Sequence, residues 1–171
     1  MKTSRDKILI IGIVASGKTT LARRLSEQLG IPWQELDNIV HRRSEEGSHK
    51  RTQEEQMELI RQIDREGPWI MEGVDRSSYA ALYEMADTVI FLDPPLWKRK
   101  LRIVRRFAKQ KLGMEPAHYK PDLSMLKAMF RWTADFEKNR PQFEAKLARY
   151  ARKVVTLRTR REIERYPNGG V

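Results

Sequence analysis

Apolar positions along this chain switch between an unbroken pattern and a helical one. Ile8-Leu9-Ile10-Ile11 is a continuous apolar run, the mark of a strand buried on both faces of a parallel sheet. Leu21, Ala22, Leu25 and Leu29 then recur at helical spacing up to Gly30, a residue suited to end a helix. Trp33 to Leu36 predicts a short second strand ending at Asp37, and the polar, glycine-containing stretch His41 to Lys50 reads as a loop. Thr52 and Glu55 form a capping-box pattern, opening a helix that carries Met57, Ile60 and Ile63 to about Glu66. Gly67-Pro68 breaks that helix before a third strand at Trp69-Ile70-Met71. A short helix over about 77–86 leads to a fourth strand, Thr88–Leu92, closed by Asp93-Pro94-Pro95. A basic helix occupies Trp97–Lys111 and a loop Gly113–Pro121. A long helix starts near Asp122, with an interruption expected at Pro141. Val154–Leu157 supplies a fifth strand, and the remainder reads as a short basic tail. Strands alternate with helices without repeats or low-complexity segments. The expectation is a doubly wound α/β sheet in one domain over residues 1–171.

Between the first strand and the first helix lies Gly12-Ile13-Val14-Ala15-Ser16-Gly17-Lys18-Thr19, which fits G-x-x-x-x-G-K-[ST]. Each part has a chemical reason. The glycines let the backbone wrap so that the N–H groups of Ala15, Ser16, Gly17, Lys18 and Thr19 turn toward phosphate oxygens. The helix beginning near Lys18 adds its positive dipole end. Lys18 reaches the β- and γ-phosphates, and the Thr19 hydroxyl is a Mg²⁺ ligand. The strand–loop–helix setting makes a chance match negligible, so phosphate binding is expected.

Composition narrows the field further. The 171 residues include no cysteine, which removes disulfides, thiolate metal sites and cysteine nucleophiles and suits a reducing compartment. The longest apolar run, Ile8 to Ala15, is far short of the ~20 residues of a membrane span. Charged Lys2, Arg5, Asp6 and Lys7 precede it, no small-residue cleavage site follows, and the expectation is a cytoplasmic protein without membrane contact. Eight cations and no acid occupy Trp97–Lys111; with those set aside, the net charge falls from +11 to +3. Eight like charges on one helix repel one another and ask for a nearby anion.

A GTPase would carry an N-K-x-D base reader, and none is present; Asp64-Arg65-Glu66-Gly67 matches D-x-x-G but falls at a helix end. Motor and helicase ATPases need a longer chain. A small kinase remains, with the loop, an acceptor pocket and a cationic lid as its parts. Gly12–Thr20, Leu36-Asp37, Trp69-Ile70-Met71-Glu72-Gly73, Phe91-Leu92-Asp93 with Pro95, Arg102 with Arg106, and Lys138-Asn139-Arg140-Pro141 together resemble the adenylate-kinase-like fold of nucleoside-monophosphate kinases. Within it, the chain most resembles the small bacterial branch named DNA topology modulation proteins, also called adenylate kinase-related. The resemblance covers nearly the whole chain. It implies a three-layer P-loop fold, a five-stranded parallel sheet of order 2-3-1-4-5, and a helical lid over about 97–121.

Site residues follow from that resemblance. It implies that Gly12, Ala15, Ser16, Gly17, Lys18, Thr19 and Thr20 bind ATP. Relatives place Asp-Gly after the third strand, where the carboxylate holds Mg²⁺ through water; here Glu72-Gly73 stands there, one methylene longer. Asp93 resembles a Walker B acid by pattern and ranks second for that role. Arg102 and Arg106 match the lid arginines that clamp the transferring phosphoryl. Arg76, four residues past Glu72, corresponds to an arginine holding an acceptor phosphate. Asp37, at a strand's C-terminal end, orients or deprotonates an acceptor hydroxyl, or else caps a helix. Arg140 reaches the site or forms a structural ion pair. His41, His49 and His118 lack metal-ligand spacing. Trp97, Ile103, Val104 and Phe107 read as packing residues, and Trp132 as exposed near the pocket.

The expected function is a Mg²⁺-ATP-dependent phosphotransferase acting on a nucleotide, nucleoside or other small metabolite. The alternative is an ATP-binding protein associated with nucleic acid through its basic helix, acting in DNA topology or on 5′ ends. That alternative lacks support from a helix-turn-helix, a zinc finger or an aromatic RNA motif. Acceptor identity and oligomeric state stay open.

Overall fold

The computed structural model describes residues 7–44, 47–114 and 122–166. In chain order its elements are β1 (Lys7–Gly12), α1 (Lys18–Leu29), β2 (Trp33–Glu35), α2 (Leu36–Val40), β3 (His41–Ser44), β4 (Gly47–Lys50), α3 (Gln53–Glu66), β5 (Trp69–Gly73), α4 (Ala80–Met85), β6 (Thr88–Leu92), α5 (Leu96–Lys111), α6 (Leu123–Ala148), β7 (Val154–Leu157) and α7 (Arg160–Arg165). A single 3₁₀ turn, Ser77–Tyr79, precedes α4 and takes the first residues of the expected short helix.

Five strands form one sheet in the order β2-β5-β1-β6-β7, with every pairing parallel. In the numbering of the expected strands this is 2-3-1-4-5. The unbroken apolar run of β1 splits by the two-residue period of a strand. Leu9 and Ile11 join Trp69, Met71, Val89 and Phe91 on one face, beneath α2, α3, α4 and α6. Ile8 and Ile10 join Ile70, Ile90, Leu92 and Leu157 on the other, against Leu21, Ala22 and Leu25 of α1. Helices therefore cover both faces, and the fold is the three-layer α/β arrangement of a five-stranded parallel sheet. The chain winds to one side of β1 for β2 and β5 and to the other for β6 and β7. Crevices at the C-terminal ends of these strands, around β1, are where such sheets hold ligands.

Four expectations need correction. His41–Lys50 is not a loop: β3 and β4 pair antiparallel as a hairpin outside both core clusters, so no apolar alternation announced it. Pro141 does not interrupt α6, which runs from Leu123 to Ala148. A helix-interior proline costs about 3 kcal/mol. Here Phe143 and Leu147 are buried beyond it, and Phe136 packs on the same cluster before it, so burial on both sides carries the helix through. The expected tail is partly α7, opened by a capping box in which Thr159 and Glu162 exchange hydrogen bonds with each other's backbone N–H. Trp97 and Val104 are not packing residues; they are 63% and 47% exposed, because α5 turns Arg99, Ile103 and Gln110 inward instead. The residues 115–121 of the expected lid, with His118, lie outside the described residues.

Phe143 sits 5.0 Å from Phe91 and 5.4 Å from Phe136 between ring centroids, tying α6 to the sheet. Phe143→Ala is expected to lower the unfolding free energy by about 3–5 kcal/mol, measured by urea denaturation.

Candidate active site

The site begins where β1 runs out. Gly12 has no room for a side chain: a Cβ there would fall 2.5 Å from the Ser16 hydroxyl oxygen and 2.9 Å from the Leu92 carbonyl oxygen. From Gly12 the backbone bends through Ala15, at φ 58°, and Gly17, at φ 103°, before α1 starts at Lys18. Ala15 is the one non-glycine with positive φ among the described residues. Such strain persists where surrounding structure demands it, typically at a ligand clamp. Ser16 donates its N–H to the Ile13 carbonyl at 3.2 Å, while its buried hydroxyl has no hydrogen-bond partner. An orphaned buried hydroxyl inside a turn of N–H groups suits an anion's oxygen.

Lys18 extends along this turn, donating from Nζ to the Ile13 carbonyl at 3.1 Å. Burial pulls its ammonium below the ordinary lysine value, with Glu72 and Asp37 working the other way and Arg106 adding to the fall. Glu72 is the penultimate residue of β5, which pairs with β1, so the register Ile10 opposite Glu72 carries its carboxylate to the loop. Thr19 donates its hydroxyl to Glu72 Oε1 at 2.6 Å. Glu72 is only 5% exposed, and burial raises its carboxyl above the ordinary range, opposed by Lys18 and by the Thr19 hydrogen bond. Thr20 faces solvent.

From the other side, α5 reaches over the loop. Arg102 donates from Nη1 to the carbonyls of Ala15 and Ser16, at 3.3 and 3.1 Å. Arg106 lies one turn on, exposed, close enough for its charge to act on Lys18. Arg99, on the same helix, is a structural cation that charge counting alone did not separate from the others. It is 1% exposed, donates to the Pro94 carbonyl at 3.0 Å, and pairs with Glu137 of α6.

Glu137 also accepts from Arg140, whose two terminal nitrogens donate to Asp93 at 3.0 and 2.9 Å. Arg140 thus forms the structural ion pair. Asp93 in turn is taken up by Arg140 and Arg158, which leaves Glu72 as the carboxylate beside Thr19. Asp37 and Arg76 are brought together at 2.9 Å; both are partly exposed. Asp37 lies inside α2 and makes no cap, since Glu35 precedes the helix without a side-chain cap bond.

A cavity of about 330 Å³ opens beside the loop. Ile11 and Gly12 from β1, Ile13 just past it, and Val74 and Asp75 after β5 form one wall; Trp132, Asp135, Phe136, Asn139 and Phe143 of α6 form the other. Trp132, 46% exposed, therefore does border the pocket. Asp75 is the residue sequence reasoning missed. It accepts from the Tyr83 hydroxyl at 2.8 Å and from Lys146 at 2.6 Å, bracing α4 against α6. Its place three residues past Glu72 was the available signal.

A phosphate-type loop at the central strand, met by an arginine from one helix and a carboxylate from the neighbouring strand, defines a protein of the P-loop α/β class. The sequence profile of the family described as AAA domain matches residues 8–116, more than half of the chain, and the chain belongs to that family. No curated protein matches it significantly. Among solved structures it is similar to a shikimate kinase from Acinetobacter baumannii in complex with shikimate, with a TM-score of 0.54, 14% identity, and 91% of this chain and 84% of that one covered. It is also similar to a shikimate kinase from Bacteroides thetaiotaomicron, with a TM-score of 0.50, 15% identity, and coverage of 92% and 91%. These likenesses establish the fold. No helix among the described residues is long and apolar enough to cross a membrane.

Glu137 supplies a test of how the lid helix is anchored. Removing it leaves buried Arg99 without its carboxylate, so Glu137→Ala is expected to cost roughly 2–4 kcal/mol, somewhat under a fully buried pair because Glu137 is partly solvated. Burial works against the Glu137 charge, but the Arg140 and Arg99 hydrogen bonds outweigh it and hold its carboxyl below the ordinary 4.5. Its contribution is therefore complete above pH 4.5 and lost as pH falls through the depressed folded value. Denaturation midpoints of wild type and variant, well apart at pH 7, should converge in acid.

Proposed function

We propose that this chain is a Mg²⁺-ATP-dependent phosphotransferase, one kinase domain over residues 1–171 whose lid begins with α5. The observation that carries the reading is the bracketing of the loop, with Arg102 on its carbonyls from one side and Glu72 on Thr19 from the other. The loop from Gly12 to Thr20 holds the donor phosphates, and Lys18 bridges the β- and γ-phosphates. The unpartnered Ser16 hydroxyl and the two positive-φ residues fit an anion. Thr19 and Glu72 are hard oxygen donors that fit Mg²⁺. When bound, that ion offsets the charge of the β- and γ-phosphates.

Arg102 and Arg106 close on the transferring group. The acceptor hydroxyl oxygen bonds to the γ-phosphorus as the bond to the β,γ-bridging oxygen breaks, and that bond's electrons leave with ADP. The proton goes to a carboxylate on the acceptor side, Asp37 being the candidate, with Arg76 beside it. A lid that excludes water keeps ATP from hydrolysing without acceptor. The names of the two solved relatives agree with a small-molecule kinase, and the sequence resembles the DNA topology modulation branch; a cytoplasmic setting accords with ATP as donor.

A second reading rests on α5, whose Lys100, Arg105, Arg106 and Lys111 are exposed. It makes ATP a regulator of nucleic-acid binding, which would weaken steeply with salt.

Transfer from γ-labelled ATP with Mg²⁺ to a panel of nucleosides, nucleoside monophosphates, hydroxylated metabolites and a 5′-hydroxyl oligonucleotide tests both. Lys18→Ala and Arg102→Ala are each expected to lower kcat/KM by about 100-fold or more. Slow phosphate release that no acceptor stimulates would count against the kinase. Label confined to the oligonucleotide would favour the nucleic-acid reading. Because the Lys18 ammonium is held below its ordinary 10.5, kcat/KM for ATP should fall on the alkaline side before a free lysine titrates, and Lys18→Arg should remove that limb.

A further inference from the structure

We propose, resting on the kinase reading above, that the acceptor is an uncharged or amine-bearing hydroxyl compound built on a flat ring, of which a nucleoside is the plainest member. Compounds bearing phosphate or carboxylate are disfavoured. The cavity of about 330 Å³ is at the small end of ligand sites and opens at the C-terminal ends of β1 and β5. It adjoins the phosphate loop directly: Ile13 lines it and also holds Lys18 Nζ by its carbonyl.

Its charge is one-sided. Asp75 and Asp135 line it, and among the described residues no lysine or arginine does. The neighbouring cations are engaged: Lys146 on Asp75, Arg140 on Asp93, Arg76 on Asp37. An acceptor phosphate would enter facing Asp135 with no cation of its own, and a charge desolvated without a partner is heavily penalised. Arg76, the arginine that the resemblance offers for an acceptor phosphate, is turned to Asp37 and is absent from the cavity wall.

The polar atoms of the wall select donors. Carboxylates accept only. The Asn139 amide gives one N–H to the Asp135 backbone carbonyl at 2.8 Å and keeps a second N–H and its oxygen, so it can meet a hydroxyl as donor or acceptor. Hydroxyl and amino groups are the complement. The rest of the α6 wall is aromatic, with Trp132 nearly half exposed, and its π face suits a flat ring or an amine cation.

The test pairs adenosine, cytidine and thymidine with their 5′-monophosphates as acceptors for γ-labelled ATP, with Mg²⁺-ATP binding followed separately by calorimetry. Label is expected on the nucleosides, with kcat/KM at least about tenfold above that of the monophosphates. Trp132→Ala should raise the nucleoside KM about tenfold or more and leave the Mg²⁺-ATP Kd within about twofold, and Asp135→Lys should shift preference toward the monophosphates. Equal or better labelling of monophosphates, an unchanged nucleoside KM in Trp132→Ala, or Mg²⁺-ATP binding without label on any nucleoside would overturn the acceptor class and leave the phosphate loop standing. Absence of Mg²⁺-ATP binding would overturn the kinase reading and the acceptor class together.

Discussion

A carboxylate that water barely reaches stands at the heart of this site. Glu72 is raised above its ordinary pKa by burial, and only Lys18 and the Thr19 hydroxyl offset that cost. Lys18 in turn is desolvated and leans on Glu72. Neither charge is comfortable in isolation, and a buried pair of this kind adds little to stability by itself. Its place beside the unpartnered Ser16 hydroxyl accords with the ligand role proposed for the loop. β5 must lie beside β1 in the observed register for Glu72 to reach the loop, and Gly12 must lack a side chain for the loop to pass Leu92. The central sheet and the site are one constraint.

The second requirement is that α5 hold Arg102 over the loop. Arg99 is buried against Pro94 and Glu137, and Glu137 shares Arg140 with Asp93 just after β6. A chain of alternating charges thus joins α5 and α6 to the strand ends that flank the loop. Part of the cationic excess of α5 serves this anchoring, part bends to the loop carbonyls, and the remainder faces solvent. The proline within α6 is carried by the same arrangement, since Arg140 and Phe143 on its two sides are both tied to the sheet layer.

Much of this was legible in the sequence, and for identifiable reasons. The strands and the loop rest on local patterns, unbroken apolar runs and glycine spacing, whereas the strand order, Glu72 beside Thr19, and Arg102 over the loop come from the resemblance to adenylate-kinase-like kinases. The hairpin β3–β4 was not legible because it adds nothing to the core and so leaves no apolar period. The helix α7 did carry its signal, Thr159 with Glu162, which the surrounding basic residues obscured. Arg140 and Asp93 each looked suited to the site, and only their mutual pairing, across 47 residues of chain, shows that they satisfy one another. Trp97 and Val104 were misplaced because a helix that turns a buried arginine inward leaves apolar side chains on its outer face.

The most direct test of Glu72's role is calorimetry of ATP binding with and without Mg²⁺, in wild type and in Glu72→Gln, which keeps the side chain's shape while removing its charge. If Glu72 and Thr19 together hold the ion beside the donor phosphates, wild type gains affinity on adding Mg²⁺ and Glu72→Gln loses most of that gain while still binding metal-free ATP. An undiminished Mg²⁺ effect in Glu72→Gln, or no ATP binding by wild type, would contradict the role assigned to the buried carboxylate.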